Sequence, residues 1–182
     1  MTLSANNDQE HLMNDMQTDQ EEFLRLIEEN KRIIFKICNS YCYNKNDHDD
    51  LAQEIVCQLW KSCGKFDTEY KFSTWMYRIA LNTAISFYRK EKKSAPTVPL
   101  TEHLLHVEDN DGGTGILEAK INSLHQFINE LKALDRALMI LYLEEKNYSE
   151  IAEILGITET NVATKISRIK EKLKQKFLTI NY

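Results

Sequence analysis

Tyr148-Ser149-Glu150-Ile151-Ala152-Glu153-Ile154-Leu155-Gly156-Ile157-Thr158-Glu159-Thr160-Asn161-Val162-Ala163-Thr164-Lys165-Ile166-Ser167-Arg168-Ile169-Lys170-Glu171-Lys172-Leu173 reads as two helices around a glycine turn. Ser149, with Glu150 beside it, is the expected N-cap of the first helix, and Ile151, Ala152 and Leu155 recur on one face. Gly156 supplies the left-handed residue that ends it. Thr158 caps a second helix whose apolar positions Val162, Ile166, Ile169 and Leu173 form one continuous stripe. Outside that stripe stand Thr160, Asn161, Ala163, Thr164, Lys165, Ser167 and Arg168, short hydrogen-bonding groups and cations suited to reading base edges and gripping phosphates. Periodicity alone is equally consistent with an αα-hairpin whose polar face is only solvated. The small Ala152 and the tight Leu-Gly-Ile turn favour a helix-turn-helix that binds DNA.

The chain has 182 residues, 42% of them hydrophobic, with only 5 glycines and 2 prolines, which suits one or two small all-α domains. No apolar run reaches the length of a membrane span, and the acidic start lacks the basic and apolar segments of a signal peptide, so the expectation is a cytoplasmic protein with no membrane insertion. Cys38, Cys42, Cys57 and Cys63 show no C-x-x-C pair and no histidine at zinc spacing, so they read as reduced thiols, and no metal or cofactor is expected. The chain contains no glycine-rich phosphate loop and no nucleophile and base arranged for catalysis, so no enzyme activity is expected.

A net charge of −5 is unusual for a DNA-binding protein until it is divided along the chain. Residues 1–20 carry 0 basic and 4 acidic groups, 21–93 carry 13 and 11, 94–126 carry 1 and 5, and 127–182 carry 9 and 8. In the last segment Lys165, Arg168, Lys170, Lys172, Lys174 and Lys176 face only Glu171 along one helix. A run like this is often a solvated face. Because it continues the reading helix, phosphate contact is the better interpretation.

Residues 1–17 show no period and read as a mobile tail. Thr18 and Glu21 have capping-box spacing, and Phe23, Ile27, Asn30, Ile34, Ile37 and Tyr41 then imply one long helix to about Tyr43. After a turn over Asn44 to Asp47, a helix opens in Asp47-His48-Asp49-Asp50, with Leu51, Ile55 and Leu59 inward and Asp50, Gln53 and Glu54 outward. Capping and solvation explain Asp47 and Asp49, and explain Gln53 and Glu54 less well. Ser73 is the expected cap of a third, aromatic helix with Trp75, Ile79 and Thr83 inward, leaving Tyr77, Arg78, Asn82, Tyr88 and Arg89 outside. Aromatics usually mean core, yet rings, an amide and cations on one surface also suit single-stranded nucleic acid. Residues 94–116, with both prolines and Gly112-Gly113, read as a flexible acidic linker between domains at 18–93 and 117–182. Helical pattern resumes through Ile121, Leu124, Ile128 and Leu131, breaks near Asp135, and continues through Leu138, Leu141 and Tyr142, giving a second domain of four helices.

Assembled in this order, the chain from Glu22 to Phe177 resembles the small two-domain sigma factors of bacterial RNA polymerase, the extracytoplasmic-function (ECF) type. Asp49-Asp50-Leu51-Ala52-Gln53-Glu54, followed by Trp60, resembles the family's acidic helix that docks on polymerase. Phe72-Ser73-Thr74-Trp75-Met76-Tyr77-Arg78-Ile79-Ala80-Leu81-Asn82 resembles its segment for the minus-10 promoter element, and the stretch from Tyr148 resembles its reader of the minus-35 element. The resemblance implies core RNA polymerase and promoter DNA as partners, with an anti-sigma factor as a further one. It places polymerase contacts at Asp49, Asp50, Gln53 and Glu54, minus-10 contacts at Lys71, Tyr77, Arg78, Asn82 and Arg89, and minus-35 contacts at Thr160, Asn161, Thr164, Lys165, Arg168 and Lys172. Two positions depart from it: Ala163 stands where lysine or arginine is common, and Lys132 where proline is. The competing reading is a ligand-responsive helix-turn-helix repressor, which would be a homodimer on a palindromic site.

Overall fold

The computed structural model describes residues 20–42, 44–67, 69–94, 124 and 126–180, and all regular structure among them is helical. The first group contains α1 (residues 20–29), α2 (Lys31–Tyr41), α3 (Lys45–Lys61) and α4 (Phe72–Ser94), with a 3-10 turn at Cys63–Lys65. The second contains α5 (residues 126–130), α6 (Ala133–Leu143), α7 (Tyr148–Leu155) and α8 (Glu159–Ile180). The expected tail, the Thr18 half of the capping box, Ile121 and all of the linker beyond Ser94 lie outside the described residues.

The single long first helix expected from the periodicity is in fact two helices. Asn30 ends α1 by turning its side-chain amide onto the Leu26 carbonyl at 2.9 Å, and its own carbonyl accepts from the Ile33 amide at 2.9 Å to start α2. A short amide that competes for backbone groups is a known helix interrupter, and the apolar spacing passes through the break unchanged. Phe23, Ile27, Ile34, Ile37 and Tyr41 are all buried as expected. The next helix also starts earlier than expected, because Asn44 accepts from the Asp47 amide at 2.8 Å and caps α3 ahead of the acidic cluster.

The inward stripe of α4 differs from the expectation. Trp75, Ile79 and Thr83 are only half-buried, while Met76, Tyr77, Ala80, Leu81, Ala84 and Ile85 form the core face. One apolar stripe suffices for a helix packed on one side. This helix packs on α2 and α3 on one side and on α6 and α7 on the other, so its buried face is wider. At the start of α4, Phe23, Phe66, Phe72 and Trp75 stack with ring centroids 5.2–5.9 Å apart, which ties the Phe66–Phe72 connection to α1.

The two groups share one hydrophobic core. Arg136 of α6 is fully buried, with its guanidinium 5.1 Å from the Tyr41 ring centroid and 5.0 Å from that of Tyr88. It donates to the Ser40 carbonyl at 2.7 Å and, within its own group, to the carbonyl of Asn129. A buried guanidinium is tolerated because several carbonyls take its protons and two rings take its faces. Beside it the Tyr41 hydroxyl donates to the Ala133 carbonyl at 2.7 Å in a buried setting. Burial also raises the Tyr41 pKa above its ordinary value, so the hydroxyl keeps the proton it donates. Lys132, just ahead of α6, has φ −60 and ψ 150, so the extended entry that proline would impose is reached without it.

Tyr41→Phe removes one hydroxyl and leaves the Ala133 carbonyl buried and unpaired, so urea unfolding should show a loss of about 1–3 kcal/mol. A change within about 0.5 kcal/mol would mean that this tyrosine is not packed between the two groups.

Candidate nucleic-acid interface

The turn that aims α8 is built locally. Asn147 caps α7 in place of the expected Ser149: its side chain accepts from the Glu150 amide at 2.9 Å, and the Glu150 carboxylate accepts from the Asn147 amide at 3.1 Å. Both residues are good caps, but only Asn147 has a glutamate three positions on to close a capping box. Gly156 sits at φ 66 and ψ 37 and ends α7 as expected, and the Ile157 amide donates to the Ala152 carbonyl at 3.1 Å. Thr158 accepts from the Asn161 amide at 3.2 Å and caps α8. Val162, Ile166 and Ile169 are buried and Leu173 half-buried against the rest of the second group.

That packing leaves Thr160, Asn161, Thr164, Arg168 and Lys172 exposed along one side of α8. The cations of the helix fall into two groups. Lys165 is 3.3 Å from the Asp135 carboxylate, Lys170 donates to the Tyr142 hydroxyl at 2.5 Å, and Lys176 pairs with Glu130, so these three tie α8 to α5 and α6. Arg168 and Lys172 form no ion pair among the described residues, and their charge faces outward.

On α4, Arg78, Asn82 and Arg89 lie at i, i+4 and i+11 on one exposed strip, with Lys71 exposed just before the helix. Tyr77 does not join them, contrary to the expectation that it stays outside. It is 3% exposed, with its hydroxyl 3.2 Å from the Glu144 carboxylate and Lys146 over its ring at 5.9 Å. Burial first, and then the negative charge of Glu144, raises its pKa, so the hydroxyl stays protonated as a donor. Tyr88 is half-buried against Arg136. Both tyrosines were expected outside because a sequence does not show that a second helical group covers this side of α4.

On α3, Asp49, Asp50, Gln53 and Glu54 are all exposed, across the helix from buried Leu51, Ile55 and Leu59. Glu54 accepts from Gln58 at 2.7 Å, and Asp49 lies 3.7 Å from His48. Val56 and Trp60, each 40% exposed, continue the Asp49–Gln53 line by one and two turns and were not singled out from the sequence. The signal was present, since both are large apolar residues standing off the inner stripe.

Residues 26–94 match the family model for Sigma-70 region 2, and residues 121–173 match the model for Sigma-70 region 4. The chain belongs to the ECF sigma factors of RNA polymerase. The ECF sigma factor SigW of Bacillus subtilis (strain 168) is 33% identical over 168 residues, covering 86% of this chain and 89% of its own. The ECF sigma-E factor of Haemophilus influenzae is 27% identical over 173 residues, covering 88% of this chain and 89% of its own. The sigma factor RpoE, solved in complex with the anti-sigma factor NepR from Bartonella quintana, superposes with a TM-score of 0.58 at 18% identity over 90% of this chain and 98% of its own, a likeness of fold. As a sigma factor, the protein directs promoter-specific initiation by core polymerase. The homodimeric repressor reading finds no support in these matches. Helices α2, α3 and α4 fall within the region 2 match, and α6 and α7 within the region 4 match. Among the described residues, no helix of this sigma factor is long and apolar enough to cross a membrane.

Because the box on Asn147 sets where α7 begins, Asn147→Ala should cost about 0.5–2 kcal/mol in denaturant unfolding, while Ser149→Ala should stay within about 0.5 kcal/mol. The reverse order would return the cap to Ser149.

Proposed function

We propose that this sigma factor divides promoter reading and polymerase docking among the three exposed faces. Thr160, Asn161, Thr164 and Arg168 enter the major groove of the minus-35 element, while Lys165 and Lys172 meet its phosphates. Lys71, Arg78, Asn82 and Arg89 follow the backbone of the melting minus-10 element, and trapping an extruded base there offsets an unstacking cost of roughly a few kcal/mol. Asp49, Asp50, Gln53 and Glu54 hold core polymerase, with Val56 and Trp60 adding apolar area beside the acid, so the matching polymerase surface is apolar and basic. The RpoE structure, with its anti-sigma factor, supports an anti-sigma partner for this chain as well. Two domains, one over residues 18–93 and one over 117–182, carry these tasks.

The observation that carries the minus-35 reading is that Thr164 and Arg168 share one exposed face of α8, with the arginine making no ion pair among the described residues. Loss of a base-reading arginine costs about 1–3 kcal/mol and relaxes preference at one position, whereas loss of a phosphate contact weakens all sites alike. Transcription from a randomised minus-35 library should therefore change in sequence preference with Arg168→Ala holoenzyme and only in overall level with Lys172→Ala. An unchanged preference with Arg168→Ala would remove that residue from the groove.

For the polymerase face, the double substitution Asp50→Ala and Glu54→Ala opens no cavity, since both side chains are exposed. It should abolish co-elution with core polymerase while circular dichroism keeps its helical signal. Unimpaired co-elution would place the contact elsewhere.

A further inference from the structure

We infer that α6 and α7 form an autoinhibitory clasp on α4, in which Glu144 and Lys146 occupy Lys36 and Tyr77 and withhold them from single-stranded DNA until the second helical group moves away. The inference rests on the proposed role of α4 as the minus-10 reader.

The geometry at the clasp resembles a nucleotide held by protein. Both oxygens of the Glu144 carboxylate lie 2.6 Å from Lys36 Nζ, and one also accepts from the Tyr77 hydroxyl at 3.2 Å. A cation and a hydroxyl donor converging on one anion is the arrangement that binds a phosphate. Lys146 stands over the Tyr77 ring at 5.9 Å, on a face that an unpaired base would otherwise use for stacking. Tyr77 borders the exposed strip of Arg78, Asn82 and Arg89, so its uncovering would add a ring to the amide and cations already there. Lys36 would then supply a further cation beside it.

The clasp is selective in what it hides. The polymerase-facing side chains of α3 and the groove-facing side chains of α8 remain exposed while Tyr77 is covered. The closed protein can therefore present its acidic helix to polymerase before it opens. Arg136, stacked between Tyr41 and Tyr88, and the Tyr41–Ala133 hydrogen bond hold the same two groups together. Glu144 is the member accessible to a clean test, because it is half-buried and its truncation leaves the core around Arg136 intact.

The test compares the full-length protein with Glu144→Ala and with Glu145→Ala, a control that makes the same charge change at an exposed neighbour. Small-angle scattering reads the separation of the two helical groups, and fluorescence anisotropy reads binding of a labelled single-stranded DNA of random sequence. Glu144→Ala should expand the particle and tighten binding about three- to tenfold, the range expected for a partly exposed charged hydrogen-bond cluster, and Glu145→Ala should do neither. If Glu144→Ala neither expands nor binds more tightly, or if Glu145→Ala has the same effect, the clasp is overturned. Expansion without tighter binding would uphold the clasp and overturn α4 as the single-strand reader.

Discussion

The burial of one arginine constrains the molecule more than any other feature. Arg136 cannot lie in a core without acceptors for its protons, and it finds them in its own group, at Asn129, and across the interface, at Ser40. Its faces are covered by Tyr41 and Tyr88, both from the first group. The position of α6 against α2 and α4 follows from these contacts. The wide buried face of α4 and the covering of Tyr77 follow in turn.

Charge is arranged with the same economy. A protein of net charge −5 approaches DNA only if its cations are concentrated and kept available. Along α8, Lys165, Lys170 and Lys176 are spent on Asp135, Tyr142 and Glu130, which fixes the helix on its support. Arg168 and Lys172 are left pointing outward on a helix that no longer moves, so the cost of ordering the reading surface is met during folding and not on binding DNA. On α3 the opposite sign is displayed, beside two exposed apolar residues.

The helix-turn-helix was legible because each of its signals is local. Gly156 at a left-handed turn, Thr158 as a cap and the Val162–Ile166–Ile169 stripe depend only on near neighbours in the chain. Local competition also explains two small displacements. Asn147 outranks Ser149 as a cap because Glu150 answers it, and Asn30 breaks α1 from α2 without disturbing the apolar spacing around it. The face of α4 was misjudged for a different reason. Whether Tyr77 is a surface ring or a core ring depends on Glu144, 67 residues away in the chain, and no periodicity within α4 carries that information. Family resemblance identified the chemistry of the three surfaces, and the family matches agree with it, but the mutual packing of the two groups became visible only in three dimensions.

The central claim is that the protein gives promoter choice to a polymerase that lacks it. The most direct measurement adds the purified protein to core RNA polymerase on fragmented genomic DNA and maps the 5′ ends of the transcripts. The account predicts that starts appear only with the protein present and share two upstream elements at a fixed spacing. Transcripts whose starts are unchanged by the protein, with the protein instead bound as a homodimer to palindromic sites, would contradict it.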